Sequence, residues 1–337
     1  MSRPPIRVVQ LLRHPKSNLF SIERVYAAVR AALPGDIAVG TWAALHPSKG
    51  LVGRLRDALA ARRIDADVVH MTGDAHYLGF FTGRRRTILT VHDLESLERK
   101  RGLRRWLFKL LWFTIPVARA GRIVAISPAT KAALLRHLRI DPDRVTVIPN
   151  PLTASLPPKA SAFRTDRPVV LHVGTKANKN LPRHVEALDG LPVRLKVIGA
   201  LDAYQRSLLE EANFDYDARS GLDDAALAAA YADADLLLFA SLSEGFGLPI
   251  LEAQAVGIPV VTSDREPMRG VAGDGALLVD PEDVGAIRAA VTAILGNPAL
   301  RDRLLAAGRA NVAAYAPAEA AARYAALYQD VAQTAAR

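Results

Sequence analysis

Short runs of β-branched and aliphatic residues alternate along the whole chain with longer Ala/Leu/Arg-rich stretches of helical period. Parallel strands need crossover connections of a dozen or more residues, and helices supply them, so this alternation predicts parallel sheets covered by helices on both faces. In the first half the strand candidates are "IRVVQLL", "IAVGTW", "DVVHMTG", "TILTVHD", "RIVAIS" and "RVTVIPN"; in the second they are "PVVLHVG", "RLKVIG", "DLLLFAS" and "IPVVTS". Between the two sets, residues 151–168 ("PLTASLPPKASAFRTDRP") are rich in Pro, Ser and Ala and read as an interdomain linker. A length of 337 residues suits two such domains. The expected division is 1–155, 156–312, and a final helix within 313–337 that packs back towards the first domain, with Tyr324, Leu327 and Tyr328 on one side.

Charge separates the halves. Residues 1–150 hold 26 Lys+Arg against 11 Asp+Glu, and the remainder holds 18 against 23, so a +15 half precedes a −5 half. Arg84, Arg85 and Arg86 form one cluster, and "ERKRGLRRWLFKLLWFTIP" interleaves Arg99, Lys100, Arg101, Arg104, Arg105 and Lys109 with Trp106, Phe108, Trp112 and Phe113. That mixture suits an anionic membrane surface, or equally an amphipathic helix with a solvated basic face. No apolar run reaches the roughly 18 residues of a membrane span. With no cysteine there is no disulfide framework, and a cytoplasmic location is expected, peripheral on the cytoplasmic membrane face if the basic half docks.

Ligands of open parallel sheets bind beyond the carboxyl ends of the strands. The loops there collect Asp74, His76, His92 and Asp93 in the first half, and Gly174 to Asn180 and Ser241 to Gly247 in the second. "SLSEGFGLPILEA", residues 241–253, leads from a strand through two glycines into a helix with Pro249 in its first turn and Gly257 past its end. Open backbone N–H groups and the positive end of the helix dipole make such a junction a site for phosphate. Glu252 is expected in the first helical turn, where the dipole alone stabilises a carboxylate by about 0.3–1 kcal/mol.

The Glu244-x7-Glu252 spacing resembles the E-x7-E segment of retaining glycosyltransferases of family 4, whose GT-B fold is two facing Rossmann-like domains with a nucleotide-sugar cleft between them. "ILTVHDL", "RIVAISPATKAAL", "RVTVIPNPL", "LHVGTKANKNLPRHVEAL", "GLDDAALAAAYADADLLLFAS" and "GALLVDPED" resemble further segments of that family in the same order. The resemblance implies a GDP- or UDP-sugar donor held by the second domain. Glu252 would bind the ribose, Glu244 would lie beside the transferred sugar, and the backbone of Gly245, Phe246, Gly247 and Leu248 would meet sugar and diphosphate. Lys179 would neutralise the leaving diphosphate beside Gly174, and the base would contact the loop around "ARSGLDD". The family's usual arginine after the glycine is replaced by Thr175, so Lys176 is the expected substitute, supplying charge without a bidentate fork. His92 would lie near the transferred sugar, and Asp74, His76 and Asp93 are acceptor-side candidates. The implied reaction moves a hexose of mannose or glucose type to a glycan or lipid-linked hydroxyl. A non-catalytic sugar-nucleotide-binding scaffold is the rival.

Two further patterns are weighed and set aside. "DAD" occurs at Asp65–Asp67 and Asp233–Asp235, yet both copies precede strands, so turn and strand-entry roles are expected and neither metal nor other cofactor is. No G-x-G-x-x-G follows the first strand, which disfavours a nicotinamide dehydrogenase, and nothing points to nucleic acid as partner.

Overall fold

A computed structural model describes residues 4–14, 21–46, 50–98 and 100–336. Arg99 of the basic segment lies outside the described residues. The chain divides into two compact units, Met1–Thr153 with Tyr315–Arg337, and Ala154–Ala314.

The first unit is built on six parallel strands: β1 (Ile6–Leu12), β2 (Ile37–Ala43), β3 (Val68–Met71), β4 (Thr87–Val91), β5 (Arg122–Ala125) and β6 (Val145–Val147), in the order β2-β1-β3-β4-β5-β6. β3 and β4 are buried along their whole lengths, which is why they read as mostly apolar runs rather than alternating ones, with His70, Thr87 and Thr90 as buried polar exceptions. One face packs on Leu78, Leu97, Phe113, Val117 and Leu134. The other packs on the helices Ser21–Ala32 and Pro317–Ala336, with Tyr324, Leu327 and Tyr328 all buried.

That second face carries a continuous polar chain. Arg30 Nη1 donates to Gln10 Oε1 (2.6 Å), Gln10 Nε2 to the Tyr328 hydroxyl (3.2 Å), and that hydroxyl lies 2.8 Å from His70 Nδ1. His70 Nε2 is 2.8 Å from Thr90 Oγ1, to which the Tyr26 hydroxyl donates (2.9 Å). The Tyr324 hydroxyl lies 3.0 Å from that of Tyr26. A buried hydroxyl without a partner costs about 1–3 kcal/mol, so Tyr324 and Tyr328 seat the C-terminal helix in one register.

The second unit has β7 (Val169–Val173), β8 (Arg194–Ile198), β9 (Tyr216–Arg219), β10 (Leu236–Phe239), β11 (Val260–Ser263) and β12 (Leu277–Val279), in the order β12-β11-β10-β7-β8-β9. Every sequence-predicted run lies on one of the twelve strands. β9 and β12 match none of those runs: β9 (Tyr-Asp-Ala-Arg) is polar, and β12 (Leu-Leu-Val) is apolar but only three residues long.

Residues 154–168 contain no helix or strand, yet they are fastened to this unit. Asp235, fully buried at the amino end of β10, accepts from Arg164 Nη1 (2.8 Å) and Val169 N (2.9 Å) and lies 3.2 Å from Lys159 Nζ. Asp233 pairs with Arg164 (2.5 Å) and with Lys196. In the other "DAD", Asp65 pairs with Arg7 (2.9 Å) and Asp67 accepts from the Arg7 backbone N–H (2.8 Å). Both copies thus neutralise basic side chains or satisfy backbone donors at strand entries.

Candidate functional site

The strand order of the second unit reverses direction between β7 and β10, and such a switch point leaves a crevice at the carboxyl ends of the two flanking strands. Residues 174–180 follow β7 and residues 240–247 follow β10, so both lie there. Three hydrogen bonds stitch these loops together. Asn178 Nδ2 donates to Ser243 O (2.8 Å), Leu242 N to Asn178 O (2.8 Å), and buried Asn180 Nδ2 to Ala240 O (3.0 Å). Asn180 adopts the left-handed conformation (φ 64°) that turns the chain into the helix Leu181–Leu188 and also donates to Pro281 O (2.6 Å).

The stitching brings the two predicted catalytic residues of this unit into direct contact. Lys179 Nζ lies 2.6 Å from Glu244 Oε1, with side-chain exposures of 17% and 12%, and 4.7 Å from the Phe239 ring centroid. Gly174 makes room for the lysine stem: at φ +93° it takes a conformation few other residues adopt, and a Cβ there would sit 2.8 Å from Lys179 Cε. Thr175, at the place of the expected arginine, donates its hydroxyl to Ala200 O (2.7 Å) after β8, and its carbonyl accepts from Gln205 Nε2 (2.6 Å). Its side chain braces neighbouring loops and has no positive charge to offer. Lys176 is exposed and its ammonium makes no ion pair among the described residues.

Below this loop two fully buried imidazoles face each other. His172 Nε2 donates to Gly174 O (2.6 Å), and the Nδ1 atoms of His172 and His184 are 2.9 Å apart. Burial pushes both below the usual histidine range, His172 down to about 4. Two neutral rings carry two protons for three contacts, so the longest, His184 Nε2 to Ala240 O at 3.3 Å, is the one left without.

The helix Leu248–Val256 starts at Gly247 (φ 112°) and ends at Gly257 (φ 84°); no side chain caps its amino end, so that end can receive an anion. Gly245 is partly buried, and Phe246 and Gly247 are buried, with Leu248 opening the helix. The expected position of Glu252 needs correction. It is the fifth helical residue, in the second turn and just past the dipole's reach, and one of its oxygens accepts instead from the Tyr231 hydroxyl (2.5 Å). Burial, then the Glu252 charge, raise the Tyr231 phenol well above its usual range, so it remains a donor. Tyr231 escapes a reading of the sequence, because nothing in "AAAYADAD" separates it from a core tyrosine.

In the first unit, His92 follows β4, is partly buried, and its Nε2 donates to Thr72 O (2.8 Å). Burial lowers its pKa against the opposing effects of Thr72, Asp74 and Asp93, so a neutral ring with its proton on Nε2 is favoured and Nδ1 carries a lone pair. Asp74 is exposed and lies 3.5 Å from Arg13 Nη1; Asp93 is exposed beside His92. Arg13, at the end of β1 and 8% exposed, is gripped by both oxygens of Glu23 (2.7 and 2.8 Å). Its position at a strand end could have singled it out. His76 is placed differently from the other acceptor-side candidates: it is buried, donates through Nδ1 to Trp112 O (2.6 Å), and its ring meets Phe113 edge-on at 5.5 Å. It pins the wide π turn Leu110–Thr114 to the loop after β3.

Among the described residues no three His, Asp or Glu side chains are grouped to hold a metal ion.

Comparisons with known proteins identify the family and the fold. The family described as "Glycosyltransferase Family 4" matches residues 14–155, and "Glycosyl transferases group 1" matches residues 157–311. The MMP alpha-(1->4)-mannosyltransferase of Mycolicibacterium hassiacum is 30% identical over 321 residues, covering 86% of this chain and 76% of that protein. The phosphatidyl-myo-inositol mannosyltransferase of Mycobacterium leprae is 36% identical over 160 residues, 45% of this chain and less than half (41%) of that protein. Sucrose-phosphate synthase from Thermosynechococcus elongatus superposes with a TM-score of 0.74 at 20% identity, over 97% of this chain and 98% of that one. Anabaena Alr3699/HepE, solved with UDP and glucose, gives 0.73 at 15%, over 96% and 99%. The two six-stranded parallel sheets are those of the GT-B fold. The chain belongs to glycosyltransferase family 4, and it is a glycosyltransferase.

Proposed function

We propose that the protein transfers a hexose, of mannose or glucose type, from a nucleotide diphosphate sugar to a hydroxyl of a glycan or lipid-linked acceptor, with retention of anomeric configuration and without a metal ion. The observation that carries this reading is the Lys179–Glu244 pair at the β7/β10 switch point, beside an uncapped helix end. As the sugar–phosphate bond breaks, negative charge collects on the diphosphate. Lys179, exposed Lys176 and the amino end of the helix Leu248–Val256 stabilise it, which is electrostatic catalysis by groups already in place. Glu252, oriented by Tyr231, holds the ribose hydroxyls. The departing phosphate oxygen takes the acceptor proton on the same face, and Glu244 and the Nδ1 lone pair of His92 accept hydrogen bonds from the sugar hydroxyls. Mannosyl transfer by the two relatives named above favours a mannose-type donor, and the UDP in the Anabaena structure favours a nucleotide at this site.

Peripheral docking on an anionic membrane belongs to the same proposal. The helix Gly102–Lys109 exposes Leu103 (71%), Trp106 (57%) and Leu107 among arginines, and the helix Leu51–Ala61 exposes Leu51, Leu55 and Leu59. Arg54 from that second helix lies over the Trp112 ring at 4.5 Å, joining the two segments. No helix among the described residues is long and apolar enough to cross a membrane.

Incubation with UDP- and GDP-hexoses tests the central claim. Slow release of nucleotide diphosphate without acceptor, and an unchanged anomeric signal in the NMR spectrum of the transfer product, are expected. Full activity in both Glu244→Ala and Lys179→Ala would remove the assignment.

A further inference from the structure

The basic first unit holds a cavity that the transfer reaction leaves unused. It measures about 650 Å³, within the range of small-molecule sites, and six basic side chains line it: Arg84, Lys109, Arg136, His137, Arg139 and Arg144. No carboxylate lines it. Arg84 lies just before β4 and Arg144 directly precedes β6, so the cavity opens at the amino ends of the strands. His92 and Asp74 lie beyond their carboxyl ends, at the opposite edge of the same parallel sheet.

Like charges gathered on one concave surface repel, and hydrogen bonds fix one of them, Arg144, in place. Arg144 donates through Nη2 to Val117 O (2.9 Å) and Ala120 O (2.5 Å) and through Nε to Gly121 O (3.4 Å), which fixes the guanidinium plane. Its Nη1 makes no hydrogen bond among the described residues, and Arg84, Lys109 and Arg139 make neither hydrogen bond nor ion pair there. Burial and the charge of nearby Arg84 push the Arg144 guanidinium below its usual range, an unfavourable state that a bound anion relieves. Arg84 and Arg144 also line an adjoining groove, where the one carboxylate, Asp330, is committed to Arg122 (2.9 Å). The lining also includes the apolar residues Val117, Leu135 and Ile140, interspersed with the basic ones.

We propose that this cavity is a second binding site, for a phosphate-bearing ligand whose apolar part contacts these aliphatic side chains. A planar guanidinium held by backbone carbonyls, with flexible arginines and a lysine around it, matches a phosphate dianion. A phospholipid headgroup and a soluble sugar phosphate both present this chemistry. Lys109 ends the helix that exposes Leu103, Trp106 and Leu107, which places a headgroup within reach of a docked surface.

The test uses the full chain at physiological ionic strength, with the Lys179→Ala variant run beside it to identify phosphate taken at the nucleotide site. Calorimetric titration with inorganic phosphate, and co-sedimentation with phosphatidylcholine vesicles with and without phosphatidic acid, read the site. Binding of phosphate is expected, and the double change Arg84→Glu with Arg139→Glu should weaken it by about tenfold or more for each arginine reversed; both side chains are exposed and bear no bond within the fold among the described residues. Lys109→Ala, a milder change, should weaken it in the same direction, and the same losses are expected on a Lys179→Ala background. Phosphate binding alone identifies a soluble ligand; binding of phosphatidic acid vesicles, abolished by the same charge reversals, identifies a headgroup. Failure of the wild-type chain to bind either probe, binding that the charge reversals leave intact, or binding to polynucleotide alone would overturn the proposal.

Discussion

Replacing Glu244 by Gln should separate nucleotide binding from turnover. Without donor, Lys179 is neutralised by Glu244 at 2.6 Å, and a diphosphate must take the ammonium away from that carboxylate. At exposures of 17% and 12% the pair is partly wet, so its net worth is about 1–2 kcal/mol, between the values for surface and fully buried pairs. Glu244→Gln removes this competition and should tighten binding of the preferred nucleoside diphosphate by about 5- to 30-fold. The same change deletes the carboxylate proposed to meet the sugar and should lower kcat by about a hundredfold. Lys179→Ala should instead weaken nucleotide binding by about tenfold or more, through loss of a charge-assisted hydrogen bond, and lower kcat as well. Calorimetry with UDP and GDP and steady-state transfer assays read both quantities. If Glu244→Gln weakens nucleotide binding as much as Lys179→Ala does, the partner exchange is wrong and the pair acts as a fixed structural unit.

Three further outcomes follow from the geometry. Gly174→Ala forces a positive φ on a residue with a Cβ and drives that atom to 2.8 Å from Lys179 Cε, so a loss of about 1–3 kcal/mol is expected in denaturant unfolding. Lys176→Ala should raise KM for the donor with little change in melting temperature, because its ammonium holds no partner in the fold among the described residues. Acid should destabilise the chain well above the carboxylate range. Burial holds His70 at about 3 and His172 at about 4 against 6.5 when unfolded, so both stabilise the fold fully above pH 6.5 and that contribution shrinks as the pH falls. Each should cost about 2 kcal/mol between pH 6.5 and 4.5, and an unfolding free energy that stays flat over this interval would contradict neutral burial.

The architecture is readable because central parallel strands are buried on both faces and so announce themselves as mostly apolar runs. β9 (Tyr-Asp-Ala-Arg) escapes because it is polar, and β12 (Leu-Leu-Val) because three residues are too few to leave a pattern. Lys179 and Glu244 are legible as residues beyond strand ends, a property of topology that survives in a single sequence. Their mutual contact is not, since it depends on Asn178 and Asn180 reaching carbonyls some sixty positions away. Glu252 is placed one turn too early by the sequence, because Pro249 suggests a helix boundary whose register is set by Gly247. Thr175 shows the limit most directly. Along the chain it is an arginine missing from an anion site; in the fold its hydroxyl bridges to Ala200 and its methyl fills the space over Gly199, where any Cβ would lie 2.7 Å from it. An arginine restored at 175 would therefore lose the Ala200 bond and have to leave that space, so charge at this loop is more readily supplied by Lys176, one residue further out and free of such contacts.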